Sequence, residues 1–216
     1  MTHPHRLLII GASGRTGRLL TRLAVADGYD VTVLVRDPGS LRDVSGVHRT
    51  VVGDATDPSA VAEAVNGQDA VITVVSAPDR KPSTVVSDVT RTLLTEMTRA
   101  GVRRLVVTSS RNVAATKPWP VIAPIKWFFR HVYADLVRAE DLVWSSELDW
   151  TIVRAVMLCD DPAQGHVHID REPNPTGGHW KLTRDDYARV LLDTVRDPDT
   201  TRVALGVNGP TQGGSR

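Results

Sequence analysis

Short apolar runs alternate with longer stretches in which apolar residues recur every three or four positions. The short runs read as buried strands and the periodic stretches as helices, so the pattern is that of repeated β-α-β units feeding a parallel sheet. The expected strands are residues 7–10, 31–35, 50–52, 70–75, 105–107, 151–153 and 203–207. A helix is expected over residues 15–26, with Leu19, Leu20, Leu23 and Ala24 on one face, and a short one over 58–65. Another spans 85–100, with Val89, Leu93, Leu94 and Met97 at helical spacing and Gly101 as a natural residue to end it. Two more are expected over about 132–147 and 183–195. The run 70–75 is apolar without alternation, as a strand buried on both faces should be. No repeat or linker divides the chain, so the expected fold class is α/β, one doubly wound parallel sheet with helices on both faces in a single domain. Residues 111–124, rich in proline, and 160–178, rich in proline, glycine and histidine, show no period. Loops after the fifth and sixth strands of such a sheet border its ligand crevice, which makes these two segments the candidate substrate walls.

Composition narrows the partners. The chain has 216 residues, 41% hydrophobic and 24% charged, with a net charge of +1. These values suit a globular domain with a sizeable core and give no reason to expect nucleic acid or a membrane surface. The apolar run near the N-terminus is too short for a signal segment or a span. The lone cysteine, Cys159, forms no internal disulfide and fits a reducing compartment such as the cytoplasm. His166 and His168 lie two apart with no evident third ligand, so no metal site is expected.

The strongest chemical signal is Gly11-Ala12-Ser13-Gly14-Arg15-Thr16-Gly17, between the first strand and the first helix. Gly11 permits the tight turn, Gly14 lets a pyrophosphate approach the backbone, and Gly17 lets the helix pack on the strand. The helix N-terminus offers free N–H groups to the phosphates. This is a Rossmann dinucleotide site. The second strand ends in Val35-Arg36, where NAD sites usually carry an acid. A guanidinium pairs with a 2′-phosphate, so NADP(H) is favoured over NAD(H), with Arg15 assisting from the turn. Asp37 would take the ribose instead if the strand ran one residue further. After the third strand comes Val52-Gly53-Asp54-Ala55, where Asp54 either accepts from the adenine amino group or caps the next turn. Val75-Ser76-Ala77 should run past the ribose and nicotinamide.

Taken with these motifs, Val31-Thr32-Val33-Leu34-Val35-Arg36-Asp37, Val51-Val52-Gly53-Asp54, Gly67-Gln68-Asp69-Ala70-Val71-Ile72 and Val106-Val107-Thr108-Ser109 resemble the NADPH-dependent flavin reductase / biliverdin-IX-beta reductase family. That family belongs to the atypical short-chain dehydrogenases, close to the NmrA-like proteins. Leu148-Asp149-Trp150-Thr151-Ile152-Val153-Arg154 and Leu182-Thr183-Arg184-Asp185-Asp186-Tyr187-Ala188 look like its sixth strand and late helix. The resemblance implies NADPH and hydride delivery to flavins or similar planar acceptors. It places Ser109 near nicotinamide and substrate, with Ser110 as a possible substitute, and Lys117 near the cofactor.

The chain departs from the pattern in its catalytic half. Tyr133 is followed four residues later by Val137, not by the lysine of a Tyr-x-x-x-Lys pair that would tune a tyrosine acid. Tyr133 is left as a hydrogen-bonding candidate. Met157 stands where the flavin reductases carry a histidine, and Ala155 and Val156 where they carry prolines. Trp119, Trp127, Phe128 and Phe129 form either an aromatic wall for a planar small-molecule acceptor or a core or dimer contact. Met157 would add apolar lining. The expected function is an NADPH-dependent reductase of a flavin, quinone or similar conjugated acceptor, monomeric or homodimeric. An NADP-binding regulator and a non-redox isomerase or cyclase are the alternatives.

Overall fold

The first strand, β1 (Arg6–Ile10), sets the plan of the molecule. Leu7 and Ile9 point to one face of the sheet and Leu8 and Ile10 to the other, and all four are buried. Both faces must therefore be covered, and the alternating chain supplies the cover. The computed structural model describes residues 5–77 and 79–211. After β1 come α1 (Arg15–Ala26), β2 (Asp30–Val35), β3 (Arg49–Val52), α2 (Pro58–Val65), β4 (Ala70–Thr73), α3 (Val85–Ala100) and β5 (Arg104–Ser110). Then follow α4 (Arg111–Ala114), α5 (Trp119–Phe128), α6 (Arg130–Trp144), β6 (Asp149–Ala155), β7 (Met157–Cys159), β8 (His168–Asp170), β9 (Lys181–Thr183), α7 (Arg184–Arg196) and β10 (Val203–Asn208).

Eight strands form one sheet in the order β3-β2-β1-β4-β5-β6-β10-β8. All pair in parallel except β8, which runs antiparallel along the edge of β10. On one face Leu7 and Ile9 pack with Leu20 and Ala24 of α1 and Leu191 and Leu192 of α7. On the other, Leu8 and Ile10 pack with Val61 of α2, Leu93 and Met97 of α3, and Val143 of α6. The two helices of the first face are also tied by charge: Arg189 and Arg196 of α7 both bond Asp27 at the end of α1, at 2.7 and 3.0 Å.

The α/β doubly wound sheet is as the sequence predicts; the two segments without period are not. Residues 111–124 contain α4 and the start of α5. Pro118 and Pro120 sit at the N-cap and first turn of α5, where no intrahelical N–H bond is lost. Pro124 lies inside the helix. Residues 160–178 contain β8, a three-residue strand too short to carry a period. β7 and β9 form a separate parallel pair that alternation did not signal. The fourth strand stops at Thr73, because the chain leaves the sheet after the Val74 N–H bonds the Ile10 carbonyl at 2.9 Å. The aromatic cluster is largely turned to solvent: Trp119 is 72% and Trp127 69% exposed, and no residue of α5 is buried.

Candidate functional site

Strand order reverses at β1, with β2 on one side and β4 on the other, so a crevice opens at the carboxyl ends of β1 and β4. The glycine turn fills its floor. Gly11 has φ of +88°, and a side-chain carbon there would lie 2.8 Å from the Val74 carbonyl oxygen. One on Gly17 would lie 2.1 Å from the Gly11 carbonyl oxygen, so the turn against Val74 requires glycine at 11 and the close approach of α1 to that turn requires glycine at 17. Gly14 differs. A carbon added there would meet only the Gly11 oxygen, at 3.4 Å. Nothing in the protein requires glycine at that position, and the bare backbone faces the crevice. The N-terminus of α1 has no side-chain cap, whereas Asp57 caps α2 and Thr183 caps α7. An uncapped helix start beneath bare backbone fits a dinucleotide pyrophosphate.

The crevice has two lobes that share Gly14, Val74, Val75 and Ser76. The first, about 390 Å³, is lined by Gly11, Ser13, Val35, Arg36, Asp54 and Ala55 among others. Two carboxylates at this end of the sheet, which the sequence left with alternative roles, each hold a turn. Asp54 accepts from the Thr56 amide at 2.8 Å and hydroxyl at 2.7 Å, so it caps the turn, and these bonds, with the nearby Arg36 charge, hold its carboxyl below the usual range. Asp37 accepts from the Gly39 amide at 2.8 Å and caps the turn at Pro38–Leu41, leaving Arg36 as the charged end of β2 in this lobe.

The second lobe, about 310 Å³, contains Arg15, Thr16, Gly17, Thr108, Ser109 and Ser110. Arg15 was expected to assist Arg36. It lines this opposite lobe instead, where its guanidinium bonds Asp160 at 3.0 Å. The Ser109 hydroxyl oxygen is buried and has no hydrogen-bond partner. The neighbouring Ser110 hydroxyl accepts from the Asn112 amide and caps α4, so the two serines are not equivalent.

Several expected residues lie elsewhere. Ala77 and Lys117 line neither lobe. Lys117 is exposed, and its amide bonds the Asn174 side chain at 2.8 Å. Tyr133 also lines neither lobe, and its hydroxyl accepts from the side-chain nitrogen Nδ2 of Asn112 at 3.0 Å. Met157 and the four aromatics lie outside as well; Leu136, Val156 and Leu158 supply the apolar lining. Sequence reasoning missed Arg184 and Tyr187 as wall residues. The Tyr187 hydroxyl donates to the Val153 carbonyl at 2.7 Å, and burial pushes its pKa up. The cap signature Thr183-Arg184-Asp185-Asp186 was readable as a helix start, but only the sheet order shows that this turn faces the crevice.

The comparisons agree with this geometry. The profile of the NAD(P)H-binding family matches residues 11–198. Oxidoreductase stcQ of Emericella nidulans is 30% identical over 230 residues, covering 91% of this chain and 84% of that protein. Oxidoreductase aflX of Aspergillus parasiticus is 28% identical over 183 residues, covering 75% and 68%. Among solved structures, ChuY, an anaerobilin reductase from Escherichia coli O157:H7, superposes with a TM-score of 0.80 at 22% identity, covering 95% of this chain and 97% of its own. A short-chain dehydrogenase/reductase from Veillonella parvula, solved in complex with NADP, gives 0.79 at 18% identity, covering 96% and 95%. At those identities the two structures show the fold. By profile and by a relative 30% identical across 91% of the chain, the chain belongs to the NAD(P)H-binding family.

Proposed function

We propose that the protein is an NADPH-dependent reductase of a planar conjugated acceptor such as a flavin or quinone. The observation that carries this reading is the make-up of the second lobe. Among the described residues it is lined by hydroxyls, aliphatic side chains and two arginines, and its one phenol, Tyr187, is spent on a backbone carbonyl. No lining side chain is a general acid near neutral pH, as carbonyl reduction would need. A flavin or quinone takes its proton from solvent. Bound NADPH supplies the hydride, so the protein's task is placement. The glycine turn and the α1 amides hold the pyrophosphate, and Arg36 pairs with the 2′-phosphate. The Ser109 hydroxyl, free of protein partners, donates to the acceptor atom that gains negative charge. Leu136, Val156 and Leu158 lie against the acceptor's face, whereas no residue of 111–124 or 160–178, the segments expected as substrate walls, lines either lobe.

The test is NADPH oxidation followed by absorbance with FMN, riboflavin and menadione, beside NADPH and NADH binding by calorimetry. Acceptor-dependent oxidation with tighter NADPH binding is expected. Tight binding with no oxidation would replace this reading with a cofactor-sensing regulator or a non-redox enzyme.

A further inference from the structure

Arg15, in the glycine turn, and Arg184, the first residue of α7, converge on one carboxylate. Arg15 Nη1 lies 3.0 Å from one oxygen of Asp160, and Arg184 Nη1 lies 2.6 Å from the other. Both arginines line the lobe walled by Ser109; Asp160 does not, and its side chain is 62% exposed. The carboxylate therefore stands on the solvent side of the pair. No aspartate or glutamate lines the lobe among the described residues. The side chain of Arg184 is only 11% exposed and sits at the positive end of the α7 dipole, where a cation is disfavoured. A guanidinium kept in that place needs an anion. Two guanidiniums share one carboxylate, and each donates one of its five N–H groups to it. The lobe is left with excess positive charge and unspent donors beside the acceptor position.

We propose that Arg15 and Arg184 form an anion subsite, and that the acceptor is a planar molecule carrying a carboxylate or similar oxyanion. The oxyanion takes the N–H groups facing the lobe while Asp160 holds the outer ones. The class of acceptor rests on the reductase reading above; the anion subsite does not. The cofactor's pyrophosphate already has the bare Gly14 backbone and the uncapped α1 amides, so the arginines are not needed for it. The forked, bidentate geometry of arginine suits a carboxylate better than a lysine would.

The experiment is calorimetric binding of 2-naphthoate and its neutral amide, 2-naphthamide, to protein saturated with NADP⁺. Wild type, Arg15→Gln and Arg184→Lys are compared. Wild type should bind naphthoate at least tenfold more tightly than the amide. Arg15→Gln, at a side chain 71% exposed and so safe for the fold, should remove most of that preference. Arg184→Lys, which keeps the charge and loses the fork, should remove part of it. Equal binding of the two probes, or binding of neither, overturns the subsite. So does an Arg15→Gln protein that keeps the naphthoate preference and loses NADPH affinity, since that assigns Arg15 to the cofactor. A wild-type protein that shows the preference but oxidises no NADPH in the presence of FMN, riboflavin or menadione leaves the subsite standing and removes the reductase reading.

Discussion

A buried hydroxyl without a partner costs about 1–3 kcal/mol, so the Ser109 oxygen is a liability in the protein alone. Its cost is recovered only if a ligand accepts from it. Ser109→Ala should therefore lower NADPH oxidation by on the order of tenfold to a hundredfold while the melting temperature holds or rises. A fall in both would mean that the hydroxyl serves the fold. Arg36 calls for a different measurement. With Asp37 committed to its turn, the Arg36 guanidinium is the group proposed to meet a 2′-phosphate in this lobe. Arg36→Glu should weaken NADPH binding by about a hundredfold, about 2.7 kcal/mol, and leave NADH within a few-fold. Equal losses by calorimetry would remove that contact.

At the scale of elements, α3 shows how the chain completes what sequence motifs leave open. Its first turn is capped from another helix: Asp135 of α6, fully buried, accepts from the Val86 amide at 2.9 Å, the Ser87 amide at 3.2 Å and the Ser87 hydroxyl at 2.6 Å. Asp135→Ala leaves the two backbone donors buried and unpaired, while the Ser87 hydroxyl keeps the Thr84 carbonyl, so it should cost about 2–4 kcal/mol in denaturant unfolding, and Asp135→Asn less. A loss under 0.5 kcal/mol would show that water replaces the carboxylate. This cap was invisible in the sequence because nothing near residue 84 announces a partner at 135. The same holds for β8, which exists only because the edge of β10 recruits it, and for the β7–β9 pair. What the sequence did make legible was local: the glycine turn, the short apolar strands between periodic helices, and the late helix beginning near residue 183. Of the site, the floor and Arg36 were readable, since turn and strand end are contiguous in the chain. The far wall was not. Arg184 and Tyr187 reach the crevice only through sheet order, and the aromatic residues chosen for that wall lie outside the crevice, the tryptophans turned to solvent.

For the whole molecule, charge at the rear of the sheet sets the response to acid. Asp69, just before β4, bonds the Arg6 guanidinium at 2.7 Å and accepts from the His5 and Arg6 amides at the start of β1. These contacts, the Arg6 side chain first, hold its carboxyl down to about 2. A depressed pKa stabilises the fold in full above the unfolded value near 4, and the contribution is lost as pH falls toward 2. Solvent around the pair limits the size. Asp69→Asn should shrink the drop in melting temperature between pH 7 and pH 3 by about 2–4 °C, and an unchanged drop would place the acid sensitivity elsewhere. The packing of α7 against α1 bears on how the molecule is made. A nascent chain emerges from its N-terminus, and domains fold as they appear. The sheet face that carries Leu7 and Ile9 is closed by Leu191 and Leu192 of α7, which are translated after every strand of the sheet but β10. The glycine turn therefore waits on a half-covered sheet until α7 has emerged. Ribosome-bound chains stalled before residue 184 should be digested by protease within α1, and chains stalled after α7 has emerged should resist.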